Sequence, residues 1–340
     1  MSKAPEMKAA ALTTDKCKHL NIVVAGQGAI GSLWCWYLTQ YSAVNLSTVT
    51  RAPAFPTSPT ISSFPNTPSA PKLKKQLSFS HFNGQSYQYH CLLADDKTLN
   101  NADLLVVCLK SYDAAQLVNN IASKLAPTTD ILLVHNGMGV YEALSDKIKA
   151  THNIYTCLTT HGAFRPTKSH VIHTGLGSFD IGRHAFVQNE PAPWFNALKC
   201  ALPNAHWQSD IKTKQWQKLA INCVINPLTA LNNVCNGEIT QAQYLPQISA
   251  IAKEVSEVAS SQDITLEANT IVEQALAVAQ ATANNVSSTL ADVRADRTTE
   301  INAINGYICQ LAIEAGISVP SNSALVEQVN ALLKSAAPSQ

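Results

Sequence analysis

An apolar strand running straight into a glycine loop and a helix, three further unbroken apolar strands, and a helical second half predict an α/β chain. The expected architecture is an N-terminal Rossmann-type parallel-sheet domain followed by an all-α C-terminal domain. Ile22-Val23-Val24-Ala25 reads as the buried first strand, and Ser32 to Tyr41 as the helix after the loop. Between them lies Gly26-Gln27-Gly28-Ala29-Ile30-Gly31, a Gly-x-Gly-x-x-Gly in the setting that gives it meaning. Gly26 permits the tight turn, Gly28 lets backbone come close to a pyrophosphate, and Gly31 lets helix pack on strand. The anion is expected among the free N–H groups and positive dipole end at the start of the helix.

Length and charge narrow the classes. A chain of 340 residues supports a sizeable core and two domains. A net charge of +1 argues against nucleic-acid or membrane-surface partners. Nine scattered cysteines with no Cys-x-x-Cys pair suggest reduced thiols and a cytoplasmic protein. No apolar run is long enough to span a bilayer. Residues 1–20 lack the apolar core of a secretory signal and read as a disordered extension.

Val44 to Thr50 reads as the second strand, closed by Arg51. An NAD site expects an acidic residue here for the ribose 2′-hydroxyl, but none lies between Gly31 and Arg51. A cation at Arg51 suits the 2′-phosphate of NADPH instead. The Pro/Ser-rich insertion 52–75 follows, with prolines at 53, 56, 59, 65, 68 and 71 that forbid regular structure, and it is expected to be mobile. Lys72, Lys74 and Lys75 at its end could touch the adenosine phosphate but read better as a solvated charge cluster. Leu77 to Leu93 alternates as a hairpin turning at Asn83-Gly84.

The next three strands are Asp103–Leu109, Ile131–Val134 and Ile154–Leu158, apolar without a break as buried parallel strands are. They end in Lys110, in His135-Asn136-Gly137-Met138-Gly139 and in Thr160-His161-Gly162-Ala163. Lys110, Asn136 and Ala163 are therefore expected on the carboxyl edge of the sheet, where open parallel sheets bind ligands. Val171 to Arg183 reads as antiparallel strands closing the sheet. His152, His161, His170 and His173 are spaced too loosely for a zinc pattern, so no metal is expected.

From Ile211 the pattern is helical. Lys218, Asn222 and Asn226 stand at i, i+4 and i+8 and share one face of an otherwise apolar helix, with Pro227 directly after. An unpaired buried polar group costs about 1–3 kcal/mol, so the stripe is expected either to face a cleft or to join an interhelix network. An apolar surround is expected to lower the Lys218 pKa from the usual lysine range. Asn285-Val286-Ser287-Ser288 reads as a helix break or cap. Glu300, before the apolar face Ile301, Ile304 and Ile308, reads on local grounds as an exposed first-turn glutamate.

Taken together, the glycine loop, Leu109-Lys110, the His135–Gly139 loop and Lys218–Ala230 resemble the ketopantoate reductase family. Asn236-Gly237-Glu238, Asn285–Ser288 and Thr299-Glu300-Ile301 complete the resemblance, which runs from about Asn21 to Pro320. It implies an NADP-binding Rossmann domain over 21–209, a helical substrate and catalytic domain over 210–335, and a site between them. It implies NADPH-dependent reduction of 2-dehydropantoate to (R)-pantoate in pantothenate biosynthesis, with Lys218 as proton donor. Asn136, Lys218, Asn222, Asn226, Asn236 and Ser288 would hold the substrate. Gly26, Gln27, Gly28, Ala29, Ile30, Gly31, Arg51, Lys110, Asn136, Ala163 and Glu300 would serve the cofactor. The long insertion, Thr289 and Asn302 depart from the family pattern. Two other readings stay open: a reductase of another 2-oxo acid, and a non-catalytic NADP(H) sensor, for which the Lys218 and Glu300 pair would have no use. The sequence specifies no oligomeric state.

Overall fold

The computed structural model describes residues 19–49, 74–184 and 186–334. Arg51, nearly all of the insertion and nearly all of the N-terminal extension lie outside them. The strands are β1 (Leu20–Ala25), β2 (Val44–Val49), β3 (Lys74–Ser80), β4 (Ser86–Leu93), β5 (Leu104–Val107), β6 (Asp130–Val134), β7 (Ile154–Thr159), β8 (Gly162–Thr167), β9 (His170–Gly175), β10 (Phe179–Arg183) and β11 (Ala205–Trp207). They form one sheet in the order β11-β10-β7-β6-β5-β1-β2-β4-β3-β9-β8. From β7 to β4 every neighbouring pair is parallel.

The crossovers carry α1 (Ala29–Thr39), α2 (Asp96–Asn100), α3 (Ser111–Ile121) and α4 (Asp146–Thr151), and α5 (Phe195–Ala201) precedes β11. The chain leaves β1 for β2 on one side and returns to β5 on the other. The end of β1 is thus the switch point where such sheets bind ligands. Burial on both faces explains the unbroken apolar runs: β5 is buried at every residue, and separate cores lie on the two faces.

Two readings need correction. Val171–Arg183 is divided between distant parts of the sheet. β9 lies parallel to β3 towards one edge, while β10 pairs antiparallel with β7 towards the other. The break falls at Gly175-Leu176-Gly177, where a Cβ on Gly177 would come within 2.4 Å of the Thr160 backbone. Lys74 and Lys75 do not end an irregular insertion; they open β3, paired with Leu92 and Cys91 of β4. The expected hairpin is present, and Gly84 at φ +87° supplies its turn.

The second half is helical: α6 (Ile211–Asn232), α7 (Leu245–Ser260), α8 (Ala268–Ala281), α9 (Ser288–Arg294), α10 (Asn305–Ala315) and α11 (Pro320–Lys334). α6 is the central rod, burying Trp216, Leu219, Ala220, Cys223, Val224 and Leu228 in a third core. Pro227 lies inside it without ending it. Proline has no N–H, so the Cys223 carbonyl loses its helical donor. The Asn305 side-chain amide takes that place at 3.0 Å, and it also donates to Asn322 Oδ1 at 2.9 Å. Glu254 closes the network by accepting from the Ser321 and Asn322 amides at the start of α11 and from the Asn322 side chain. Among the described residues no helix is long and apolar enough to cross a membrane.

Candidate active site

The glycine loop is shaped by close contacts on two of its three glycines. Gly26 has φ +96°, and a Cβ there would come within 2.4 Å of the Cys108 carbonyl. A Cβ on Gly31 would come within 1.9 Å of the Gly26 carbonyl, which fixes α1 against the turn. At Gly28 a Cβ would meet nothing within 4 Å. The space beside Gly28 is open, no side chain caps the helix, and its first turn holds no acidic residue. Ala29, Ile30 and Gly31 supply the free amides of that turn, so the loop fits a pyrophosphate. Gln27 is buried; its amide donates to Thr48 Oγ1 at 3.2 Å, and its carbonyl oxygen accepts from Lys75 Nζ at 2.6 Å.

The ends of β5 and β6 form the second part. Lys110 immediately precedes α3 and bonds Asp292 (2.7 Å) and Glu300 (3.1 Å). Burial opposes its charge, but the two carboxylates outweigh that and hold its pKa above the ordinary value. Glu300 is not the exposed glutamate expected on local grounds. It is buried, and its other oxygen accepts from the Ser111 amide at 2.9 Å, capping α3. Arg297 bonds the second oxygen of Asp292 at 3.0 Å. The loop carrying Asn136 is tied to the same segment, since the Met138 amide donates to the Ala303 carbonyl at 2.8 Å. Gly137 (φ +76°) makes that approach possible; a Cβ there would lie 2.4 Å from the Ala303 carbonyl. Lys110 and Glu300 are thus in direct contact, and the loop that carries Asn136 is held by backbone to Ala303, three residues after Glu300.

The third part is the face of α6. Lys218 is half-buried and donates to the Thr159 carbonyl at the end of β7 (2.8 Å). Burial lowers its pKa from the usual lysine range, against the raising pull of Cys157, Glu300 and Asp180. Asn222 is half-buried and Asn226 buried on the same stripe. Asn236 is fixed by its own amide to the Asn285 carbonyl and by its side-chain nitrogen to Thr282, yet its buried Oδ1 has no partner among the described residues. Ser287 caps α9 and takes a bond from Thr229, while Ser288 beside it is exposed. An amine, amide groups and an exposed serine suit an anionic, oxygen-rich ligand.

Ala163 stands apart from the strand-end reading. It is the second residue of β8, in register with His173 of β9, because β7 already ends at Thr159. Asp292 and Arg297 escaped assignment although they complete the Lys110 cluster. Their signal was only a run of charges before Glu300.

A Rossmann-type sheet with an open glycine loop at its switch point, joined to a helical half bearing a half-buried lysine, defines a dinucleotide-binding protein of the oxidoreductase class. The chain belongs to the ketopantoate reductase family: profiles described as ketopantoate reductase PanE/ApbA and its C-terminal part match residues 22–185 and 210–333. The 2-dehydropantoate 2-reductase of Vibrio cholerae is 35% identical over 317 residues, covering 93% of this chain and 99% of that protein. That of Escherichia coli O157:H7 is 38% identical over 236 residues, covering 69% and 76%. A crystal structure titled probable 2-dehydropantoate 2-reductase from Bacillus subtilis superposes with a TM-score of 0.72 at 28% identity, over 92% of this chain and all of that one. D-mandelate dehydrogenase with NADH shares the fold, with a TM-score of 0.74 at 20% identity over 92% and 98% of the two chains.

Proposed function

We propose that this chain reduces 2-dehydropantoate to (R)-pantoate with NADPH, in pantothenate biosynthesis. The observation that carries the reading is Lys218, a desolvated amine on α6 directed at the end of β7, on the edge of the sheet where the glycine loop opens. The glycine loop Gly26–Gly31 would hold NADPH, which would supply the hydride for the ketone carbon. Lys218 gives its proton to the developing alkoxide oxygen, so ketone, hydride and proton sum to the alcohol. Its lowered pKa makes it the better donor near neutral pH. Asn222, Asn226, Asn236 and Ser288, with Asn136 from the sheet, hold the carboxylate and hydroxyl oxygens. Lys110 and Glu300 brace the start of α3 beside the nicotinamide end, and Arg51 pairs with the 2′-phosphate. The division into a cofactor domain over 21–209 and a substrate domain over 210–335, and a cytoplasmic location, belong to the same reading.

The test is NADPH oxidation by the purified protein against a panel of 2-oxo acids. The expected result is the highest kcat/KM with 2-dehydropantoate and a preference for NADPH over NADH that Arg51→Ala weakens about tenfold. Preference for another 2-oxo acid would move the assignment to that substrate. Cofactor binding without turnover of any member would leave a sensor.

A further inference from the structure

Lys75 occupies a corner whose position and charge call for an explanation. It is the second residue of β3, opposite Cys91 of β4, and β4 runs beside the end of β2. Its ammonium donates to Gln27 Oε1 in the glycine loop at 2.6 Å, and the Gln27 amide donates in turn to Thr48 Oγ1 near the end of β2 at 3.2 Å. Loop, second strand and third strand thus meet at one point. In a Rossmann-type sheet this is the corner of the adenosine ribose, because the end of the second strand reads the ribose 2′ position.

The charge there is one-sided. Lys75 is half-buried, and its one hydrogen-bond partner among the described residues is a neutral amide. Burial lowers its pKa, and so do the nearby charges of Arg165 on β8 and Lys168 in the turn after it; the groups that oppose them are the thiols of Cys91 and Cys35. Among the described residues no carboxylate pairs with Lys75, Arg165 or Lys168. An ammonium has three N–H donors, and Gln27 uses one of them. Two remain for a ligand of opposite charge.

We infer that Lys75, oriented by Gln27, binds the 2′-phosphate of NADPH. This rests on the NADPH reading above and names a residue of β3 that determines cofactor choice. The Gln27 amide positions the ammonium without neutralising it, so the dianionic phosphomonoester meets an undiminished charge. With 5′-AMP that charge has no phosphate to meet at the 2′ position.

The experiment is calorimetric titration of the full chain with adenosine 2′,5′-bisphosphate and with 5′-AMP, which differ only in the 2′-phosphate. The parent is expected to favour the bisphosphate. Lys75→Gln should lose about tenfold in affinity for the bisphosphate and keep its affinity for 5′-AMP, and Lys75→Arg should keep both. Lys75→Gln binding both ligands as the parent does would overturn the inference while leaving the NADPH reading intact. An equal loss for both ligands would mark a structural role for Lys75 and overturn it too. A parent that fails to distinguish the two ligands would sink the NADPH reading and this inference with it.

Discussion

Two sets of polar groups sit on or against α6, and they are treated in opposite ways. On one side the Cys223 carbonyl, freed by Pro227, is met by Asn305, which is bound to Asn322, which is bound to Glu254. All three side chains are buried, and every link is a normal hydrogen bond. On the other side Lys218 has one backbone carbonyl, and the nearby Asn236 keeps an orphaned buried oxygen. The first set links three buried side chains to one another and to the backbone and serves the fold, although Asn305 Oδ1 has no partner among the described residues. The second offers a lysine with a single carbonyl partner and the unpaired Asn236 Oδ1, groups that a ligand can complete. Residue type does not separate the two, since both contain asparagine, and each keeps one orphaned asparagine oxygen; what separates them is that the first links side chains to one another while Lys218 reaches only a backbone carbonyl.

The largest effect should come from breaking the open set. Lys218→Ala removes the proton donor but no link of the first network. The expected loss is about 10²-fold or more in kcat, with NADPH affinity kept and melting temperature little changed. Steady-state kinetics beside a binding titration decide it: near-parent kcat across the pH range would reject Lys218 as the acid.

Breaking the linked set should do the reverse. Asn305→Ala leaves the Cys223 carbonyl buried without a donor and Asn322 Oδ1 without its partner. The expected cost is about 1–3 kcal/mol of stability, seen as a lower denaturant midpoint. A kcat loss as large as that of Lys218→Ala, without loss of stability, would show that the two sets are not separate.

The contrast also explains what the sequence made legible. β5, β6 and β7 were readable because burial on both faces demands unbroken apolar runs. The Lys218, Asn222 and Asn226 stripe was readable because helical spacing is local. Pro227 announced that a carbonyl needed a donor, but Asn305 lies far along the chain and nothing local marks it as that donor. Glu300 failed for the same reason: its burial depends on the Ser111 amide and Lys110, which only the tertiary fold brings to it. Lys75 looked like one of three solvated lysines because its partner, Gln27, is on another strand's loop. Val171–Arg183 misled because alternation identifies strands but not which edge of the sheet they join.

The smallest effect concerns a linked set in the sheet half that titrates. The Gly177 amide donates to His161 Nδ1 at 3.1 Å, so that nitrogen is unprotonated and Nε2–H donates to the Pro203 carbonyl at 3.2 Å. His173 Nε2–H then donates to His161 Nδ1 at 3.1 Å, and the Tyr37 hydroxyl donates to His173 Nδ1 at 2.9 Å. The Gly177 amide keeps His161 neutral, and burial does so for His173, whose Nδ1–H would still find the Tyr37 oxygen if protonated. Burial, the neighbouring His161 and, more weakly, His81 push the His173 pKa down to about 4, against a raising contribution from the Gly175 backbone. Burial lowers that of His161 as well. Below pH 6.5 the unfolded chain takes up protons that the folded rings refuse, so stability is present above 6.5 and lost as pH falls towards 4. The melting temperature should therefore drop by a few degrees between pH 7 and pH 5. His173→Gln should start lower at pH 7, because Tyr37 and His161 lose their shared partner, but it should show a shallower decline with acid. A decline as steep in His173→Gln as in the parent would place the acid sensitivity elsewhere, with His184, whose pKa burial likewise lowers to about 4, as the next group to replace.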